Sequence, residues 1–262
     1  MDVPTQSGTI QPGARVELQW WPDGACVVAF LAGPVLATSL IMIGYRGLFG
    51  LPADLAAAAR ASWLIYSLGC WISVGIVWLW AKRRGLVDEI FAFRRPVGLD
   101  WIIAVAGVAA VAFVIWPFGQ WVSRAFFGTG MQGMDFDLRQ PQTLVLVVVW
   151  AIVTSPFCEE VLFRGLAVAF LRERRWPALA IGAASCIAFA AIHWPYFGIG
   201  GATFILFWTA LVTAIRLWRN NLTPGWMVHG LNRAGPGCLN RFSASLSGAS
   251  AGFRLPCGVA AG

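Results

Sequence analysis

Ser155-Pro156-Phe157-Cys158-Glu159-Glu160-Val161-Leu162-Phe163-Arg164 sets two carboxylates and a guanidinium inside the run Thr143 to Leu171, which is otherwise almost wholly apolar and long enough to cross a bilayer. An ionised side chain at the middle of a spanning helix costs roughly 2.5–3.5 kcal/mol on insertion scales, so three together must face protein, water or one another. Adjacent helical residues point about 100° apart, which predicts that Glu159 and Glu160 do not share a partner. Glu160 and Arg164, four apart, stack on one face. One carboxylate is expected to be paired and the other free. Pro156 removes a backbone hydrogen bond just before the pair and should bend or loosen the helix there. A buried catalytic acid/base and an ion-paired packing motif both fit this stretch alone.

Composition sets the class. The chain has 262 residues, of which 58% are hydrophobic and only 12% charged. With a mean hydropathy of +0.70 it carries more apolar surface than a soluble core of that size can hide. The fold class is therefore all-α, a polytopic membrane helix bundle of about seven transmembrane helices. Fifteen Trp, many near the ends of apolar runs, fit an interfacial aromatic belt. The formal charge of +7 comes from short basic clusters between apolar runs, which argues for membrane orientation and against nucleic-acid binding. Six Cys are scattered without metal-type spacing, and Cys26, Cys70, Cys158 and Cys186 lie in apolar segments, where a free thiol acts as a small hydrophobe.

Outward from the central stretch, the chain divides into a polar arm over 1–24, a three-span region over 25–142, a membrane region over 143–235 that holds the charged stretch, and an atypical tail over 236–262. The expected spans are Ala25 to Gly44, Ser62 to Ala81, Trp101 to Phe118, Thr143 to Leu171, Pro177 to His193 and Ala202 to Trp218, each near the ~20 residues a bilayer core requires. The Ala-rich Leu51 to Arg60 reads as a separate short surface helix. Gly119 to Gln142 reads as a loop whose Asp135 and Asp137 lack further oxygen ligands at defined spacing. Thr223-Pro224 has the form of an N-cap with Pro at the first helical position, opening a seventh helix. The basic turns Lys82-Arg83-Arg84 with Arg94-Arg95, Arg172 to Arg175, and Arg216 with Arg219 all fall on one side in this count. The positive-inside rule makes that side, and the N-terminus, cytoplasmic. From Gly235 the composition turns to Gly, Ser, Arg and Cys, the pattern of a disordered tail or of an abnormal end of the reading frame.

Uniform helical rise brings the remaining polar residues together. Glu159 stands about 20 Å above the cytoplasmic end of its helix, His193 about 27 Å up the next, and His229 about 12 Å up the seventh. His193 and His229 are the chain's two His, and both lie in or at the end of apolar segments. Phe189 is four residues before His193 and can wall one side of the imidazole. Asn232 and Arg233 share a face with His229, and an Asn amide suits an oxyanion.

Glu159-Glu160-x-x-x-Arg164 with Gly165, then Phe189-x-x-x-His193, then His229 with Asn232, resembles the CPBP family of intramembrane proteases, also called the CAAX-protease or Abi family. The resemblance covers about Thr143 to Asn232. The family's third motif, His-x-x-x-Asn, has Arg233 at its fourth position here, with Asn232 one residue early, and the family's eighth helix is missing or altered. The resemblance implies an intramembrane endopeptidase that hydrolyses a peptide bond in a membrane-associated, possibly prenylated CAAX-type, protein or peptide from a cavity reached from the cytoplasmic side. It implies residence in a bacterial plasma membrane. It assigns water activation to Glu159, water or metal binding to His193, the oxyanion to His229 and Asn232, and support to Glu160, Arg164 and Phe189. His193 and His229 with Glu159 match a His₂Glu zinc site, so a divalent metal, zinc by donor type, is expected, although the ligands lack the single-helix His-Glu-x-x-His arrangement and a metal-free mechanism stays open. Two other classes compete. A scaffold, immunity or regulatory protein would tolerate Glu159→Ala, and a transporter would show proton flux in liposomes. The absence of an obvious repeat between the halves argues against transport.

Overall fold

The computed structural model describes residues 20–49, 55–128 and 141–234. Every regular element among them is helical. Helix α1 spans Trp20–Phe49 and α2 spans Leu55–Arg84, followed by a single turn, α3, Val87–Ile90. Then come α4, Gly98–Phe127, and α5, residues 141–173. Helices α6, Ala178–Trp194, and α7, Phe197–Arg219, are separated by a kink at Gly198, whose φ of 64° places it in the left-handed region that a glycine tolerates. The last, α8, is Thr223–Ala234.

Five of these helices, α1, α2, α4, α5 and α7, are long and apolar enough to cross a membrane, and α6 is a shorter apolar helix. Leu40, Ile43, Ile102, Val105, Phe113 and Leu179 are all more than 60% exposed on the outside of the bundle, an arrangement water would not tolerate and lipid favours. The protein is an integral, multi-pass membrane protein.

Several expected boundaries move. Helix α1 starts at Trp20, inside the expected polar arm, because Asp23 is buried and held 2.8 Å from Arg84 at the end of α2. No separate surface helix precedes α2 over the described residues. Ala56 to Ala59 are strong helix formers with no breaker before Trp63, so the helix propagates through them. Helix α4 runs past Phe118 to Phe127 and ends at Gly128 with φ 70°. A single Gly119 did not stop it, whereas a left-handed glycine after the last turn does. Asp135, Asp137 and the 236–262 tail lie outside the described residues. At the start of α8 the cap is Asn221, whose Oδ1 accepts from the Thr223 N–H at 2.9 Å. The Thr223 hydroxyl is committed elsewhere, donating to the Arg94 carbonyl at 2.7 Å and accepting from the Arg94 N–H at 3.0 Å.

These contacts gather the basic ends on one face. Arg219 pairs with Asp100 at 3.3 Å, Arg172 donates to Asn220 Oδ1 at 2.6 Å, and Arg216 donates to the Glu89 carbonyl at 3.0 Å. Cys70, Val74, Val77 and Ala81 of α2, Ile103 and Ala104 of α4, and Cys158, Val161, Leu162 and Leu166 of α5 form the buried core with Phe189, Trp208 and Val228.

Candidate active site

Helix α5 carries the site because it is not a uniform α-helix. Val147–Thr154 and Glu160–Leu166 are wound in wider, π-type turns, which cluster at functional sites. Wider winding leaves carbonyls without ordinary helical partners, and neighbouring helices supply them. Ser185 Oγ of α6 donates to the Phe163 carbonyl at 2.9 Å, and Arg216 Nε of α7 to the Arg164 carbonyl at 3.1 Å. Near Pro156, which has no N–H to offer Ile152, the Trp226 indole donates to the Val153 carbonyl at 3.3 Å. Gly230 faces the Ile152 carbonyl so closely that a Cβ there would stand 2.7 Å from its oxygen. The proline and the glycine together let α8 approach α5 backbone to side, which is what brings His229 to the glutamates.

The geometry at the centre differs from the sequence expectation of one paired and one free carboxylate with no partner in common. The ring of His229 lies between the two: Nδ1 is 3.0 Å from Glu160 Oε1, and Nε2 is 3.4 Å from Glu159 Oε2. Two carboxylates 100° apart on a helix can share a partner when that partner is a ring with acceptable atoms on both sides, inserted edge-on from a neighbouring helix. Glu160 is also 3.3 Å from Arg164 Nη1, as the i,i+4 spacing predicts. Arg164 is fully buried, donates to the hydroxyls of Thr209 and Thr213 of α7, and lies 4.3 Å from the ring centre of Phe189. A buried guanidinium is tolerable only with such a set of partners.

Glu159 is oriented oxygen by oxygen. Its Oε1 accepts from the Tyr66 hydroxyl at 3.0 Å and from Ser155 Oγ at 3.0 Å. Its Oε2 has no hydrogen bond, and neither does His229 Nε2, although both are buried. Arg233 Nη2 stands 3.8 Å from the same Oε2. His193 Nδ1 is 2.7 Å from the Phe189 carbonyl, which can only accept, so the proton sits on Nδ1 and Nε2 is left as the acceptor. The ring of Phe189 is 4.4 Å from that of His193, and Trp208 meets His229 edge-on at 4.4 Å. His193, Phe189, Asn232 and Arg233 line a cavity of about 160 Å³ with Trp116, Phe204 and Trp208. Trp116 is sixteen residues past Asp100, about 24 Å along α4 by helical rise, so this cavity lies toward the end away from the basic face. On the basic face a second cavity of about 180 Å³ is lined by Asp88, Glu89, Arg94, Arg172, Glu173, Arg216 and Asn220.

Glu159, Glu160, Arg164, Phe189, His193 and His229 are thus brought together, with Asn232 at the cavity wall. Tyr66, Ser155 and Trp208 join them without having been expected. Ser155 had a local signal, its i,i+4 spacing to Glu159, whereas Tyr66 reaches in from another helix with none.

With Nδ1–H given to Glu160, His229 turns a lone pair toward an unpartnered carboxylate oxygen. Two such atoms at 3.4 Å repel unless a proton or a cation lies between them. The separation is also about what two ligands of one tetrahedral zinc show, given bond lengths of ~2.0–2.2 Å. The donation from His229 to Glu160 is the carboxylate–histidine support that metal-binding imidazoles receive. Among the described residues, however, no three His, Cys, Asp or Glu stand close enough to hold an ion together. The fit is therefore that of a donor pair, with His193 beside it.

Residues 141–235 match the family model Rce1-like, described as type II CAAX prenyl endopeptidase Rce1-like. The matched segment opens with α5 and closes just after α8, so it holds Glu159, His193 and His229 and leaves out α1 to α4. The resemblance drawn from the motifs holds for this segment. No curated protein and no solved structure matches the chain.

Proposed function

We propose, from the match of residues 141–235 to the Rce1-like CAAX endopeptidase family model, that the chain hydrolyses a peptide bond in a membrane-associated protein or peptide of CAAX type. The observation that carries the reading is the pair of buried atoms without a hydrogen bond, Glu159 Oε2 and His229 Nε2, 3.4 Å apart beside a cavity. Glu159 is the general base: Oε2 takes a proton from water while Oε1 stays hydrogen-bonded. His193 Nε2 accepts the water's second hydrogen and aims its oxygen at the scissile carbonyl. The developing oxyanion falls to the Asn232 amide, a donor that in a dry site stabilises it more than water does. Glu159 then returns the proton to the leaving amine. The apolar wall of Trp116, Phe204 and Trp208 gives a hydrophobic substrate group its place.

A divalent metal, zinc by donor type, belongs to the same proposal. Glu159 and His229 are the donor pair that would hold it, and when bound it would polarise water and the carbonyl.

The test uses the full chain purified and reconstituted in vesicles, with a farnesylated CAAX peptide as probe. Wild type is expected to release the C-terminal tripeptide, and Glu159→Gln to lower kcat at least about 10²-fold, the usual worth of a general base. Equal rates would leave the chain a scaffold with the family fold. Metal analysis of the same preparations is expected to give near-stoichiometric metal that His229→Ala loses, and a metal-free wild type removes the metal from the proposal.

A further inference from the structure

One of the two hydrogen bonds that fix Glu159 comes from outside the matched segment. Tyr66 lies on α2, and its hydroxyl donates to Glu159 Oε1 at 3.0 Å across a sequence separation of 93 residues. Ser155 Oγ donates to the same oxygen at 3.0 Å. Two donors on one oxygen hold the carboxylate in one rotamer and leave Oε2 turned toward His229 Nε2 and Arg233. Neither Tyr66 nor Glu159 lines the cavity, but Arg233, which does, stands 3.8 Å from Glu159 Oε2, so Tyr66 is linked to the substrate side through Glu159. Its placement is fixed from both ends of the contact. Trp71, five residues along α2, stacks on Phe157 at 5.4 Å, and Phe93 also stacks on Phe157 at 5.0 Å. Phe157 is two residues before Glu159, so this stack sets the register between α2 and the catalytic turn. Cys70, one turn beyond Tyr66, is wholly buried against α5.

We propose that Tyr66 is a positioning residue for the hydrolysis, and that α2 completes an active site the family segment holds only in part. Tyr66 selects which oxygen of Glu159 accepts the proton from water. The inference rests on Glu159 being the base.

Two measurements test it. The first needs no activity. In full-length protein with Tyr45→Phe and Tyr196→Phe, Tyr66 is the only tyrosine, and ring-labelled tyrosine gives its C–O stretch by infrared spectroscopy. The band is expected to shift when Glu159→Ala removes the acceptor, and an unmoved band overturns the contact. The second is cleavage of the farnesylated CAAX peptide in vesicles. Tyr66→Phe, which keeps the ring and deletes the donor, is expected to lower kcat about 10-fold, the worth of a hydrogen bond to a charged group, with KM changed less than about twofold. Adding Ser155→Ala is expected to cost more than the product of the two single losses, since the last donor on Oε1 goes. A Tyr66→Phe enzyme with unchanged kcat, or with only KM raised, overturns the proposal. If wild type is no faster than Glu159→Gln, the hydrolase reading fails while the infrared result still decides whether Tyr66 anchors Glu159.

Discussion

The Glu160–Arg164 pair is buried to the last atom of both side chains, and it is the contact in which charge most directly governs stability. Removing one partner strands the other in a low-dielectric interior, which costs about 3–5 kcal/mol, whereas replacing both with apolar groups of similar size is often close to neutral. Glu160→Gln and Arg164→Met are therefore each expected to lower the thermal midpoint of the detergent-solubilised protein sharply, and Glu160→Met with Arg164→Met to recover part of the loss. A double variant as damaged as the sum of the singles would show that the pair's other contacts, to His229, Thr209 and Thr213, carry the cost instead. At this scale the sequence was read correctly for Glu160 with Arg164 and Phe189 with His193, which share a helix at i,i+4, while Ser155 with Glu159 offered the same spacing and went unread. It was illegible wherever a third helix intrudes. The inference that neighbouring carboxylates part company assumed each meets a separate partner, and one imidazole with a nitrogen on each side defeats it.

At the scale of elements, the departures come from how α5 is wound and how closely its neighbours approach. Uniform rise placed His229 several ångströms below Glu159, yet the two side chains meet. The wide turns of α5 advance less per residue than α-helix, and α8 starts inside the bundle, tied to Ala92 and Arg94, so both corrections act in the same direction. Pro156 signalled loosening but not its form. Glycines decide the approach. A Cβ at Gly165 would overlap the carbonyl of Ile90 in α3, a backbone atom that cannot rotate away. Gly165→Ala is expected to destabilise by about 2–4 kcal/mol through overpacking. Gly75→Ala on α2, where nothing lies within 4 Å, is expected to be neutral or to gain about 0.5–1 kcal/mol from helix propensity. Unfolding of both in the same detergent is the comparison, and equal midpoints would remove the α3–α5 contact from the account.

For the whole molecule, composition and the positive-inside pattern revealed most of the architecture: an all-helical, multi-pass bundle with its basic turns on one face. What they missed were lengths at the far end, where α4 continues to Phe127, because a run of mixed polar and aromatic residues gives no stop until Gly128. The orientation is open to a direct check. Arg95→Cys, at an exposed position between α3 and α4, is expected to react with a membrane-impermeant maleimide in inside-out vesicles and to be spared in right-side-out ones. The reverse pattern would turn the bundle over. The position of His229 has a temporal consequence as well. Glu159 leaves the ribosome seventy residues before the imidazole that faces it, and α8 seats only against an Ala92–Arg94 segment already in place. A nascent chain thus carries the acid without its counterpart, and the hydrolysis proposed for this site could begin only once the final described helix has inserted.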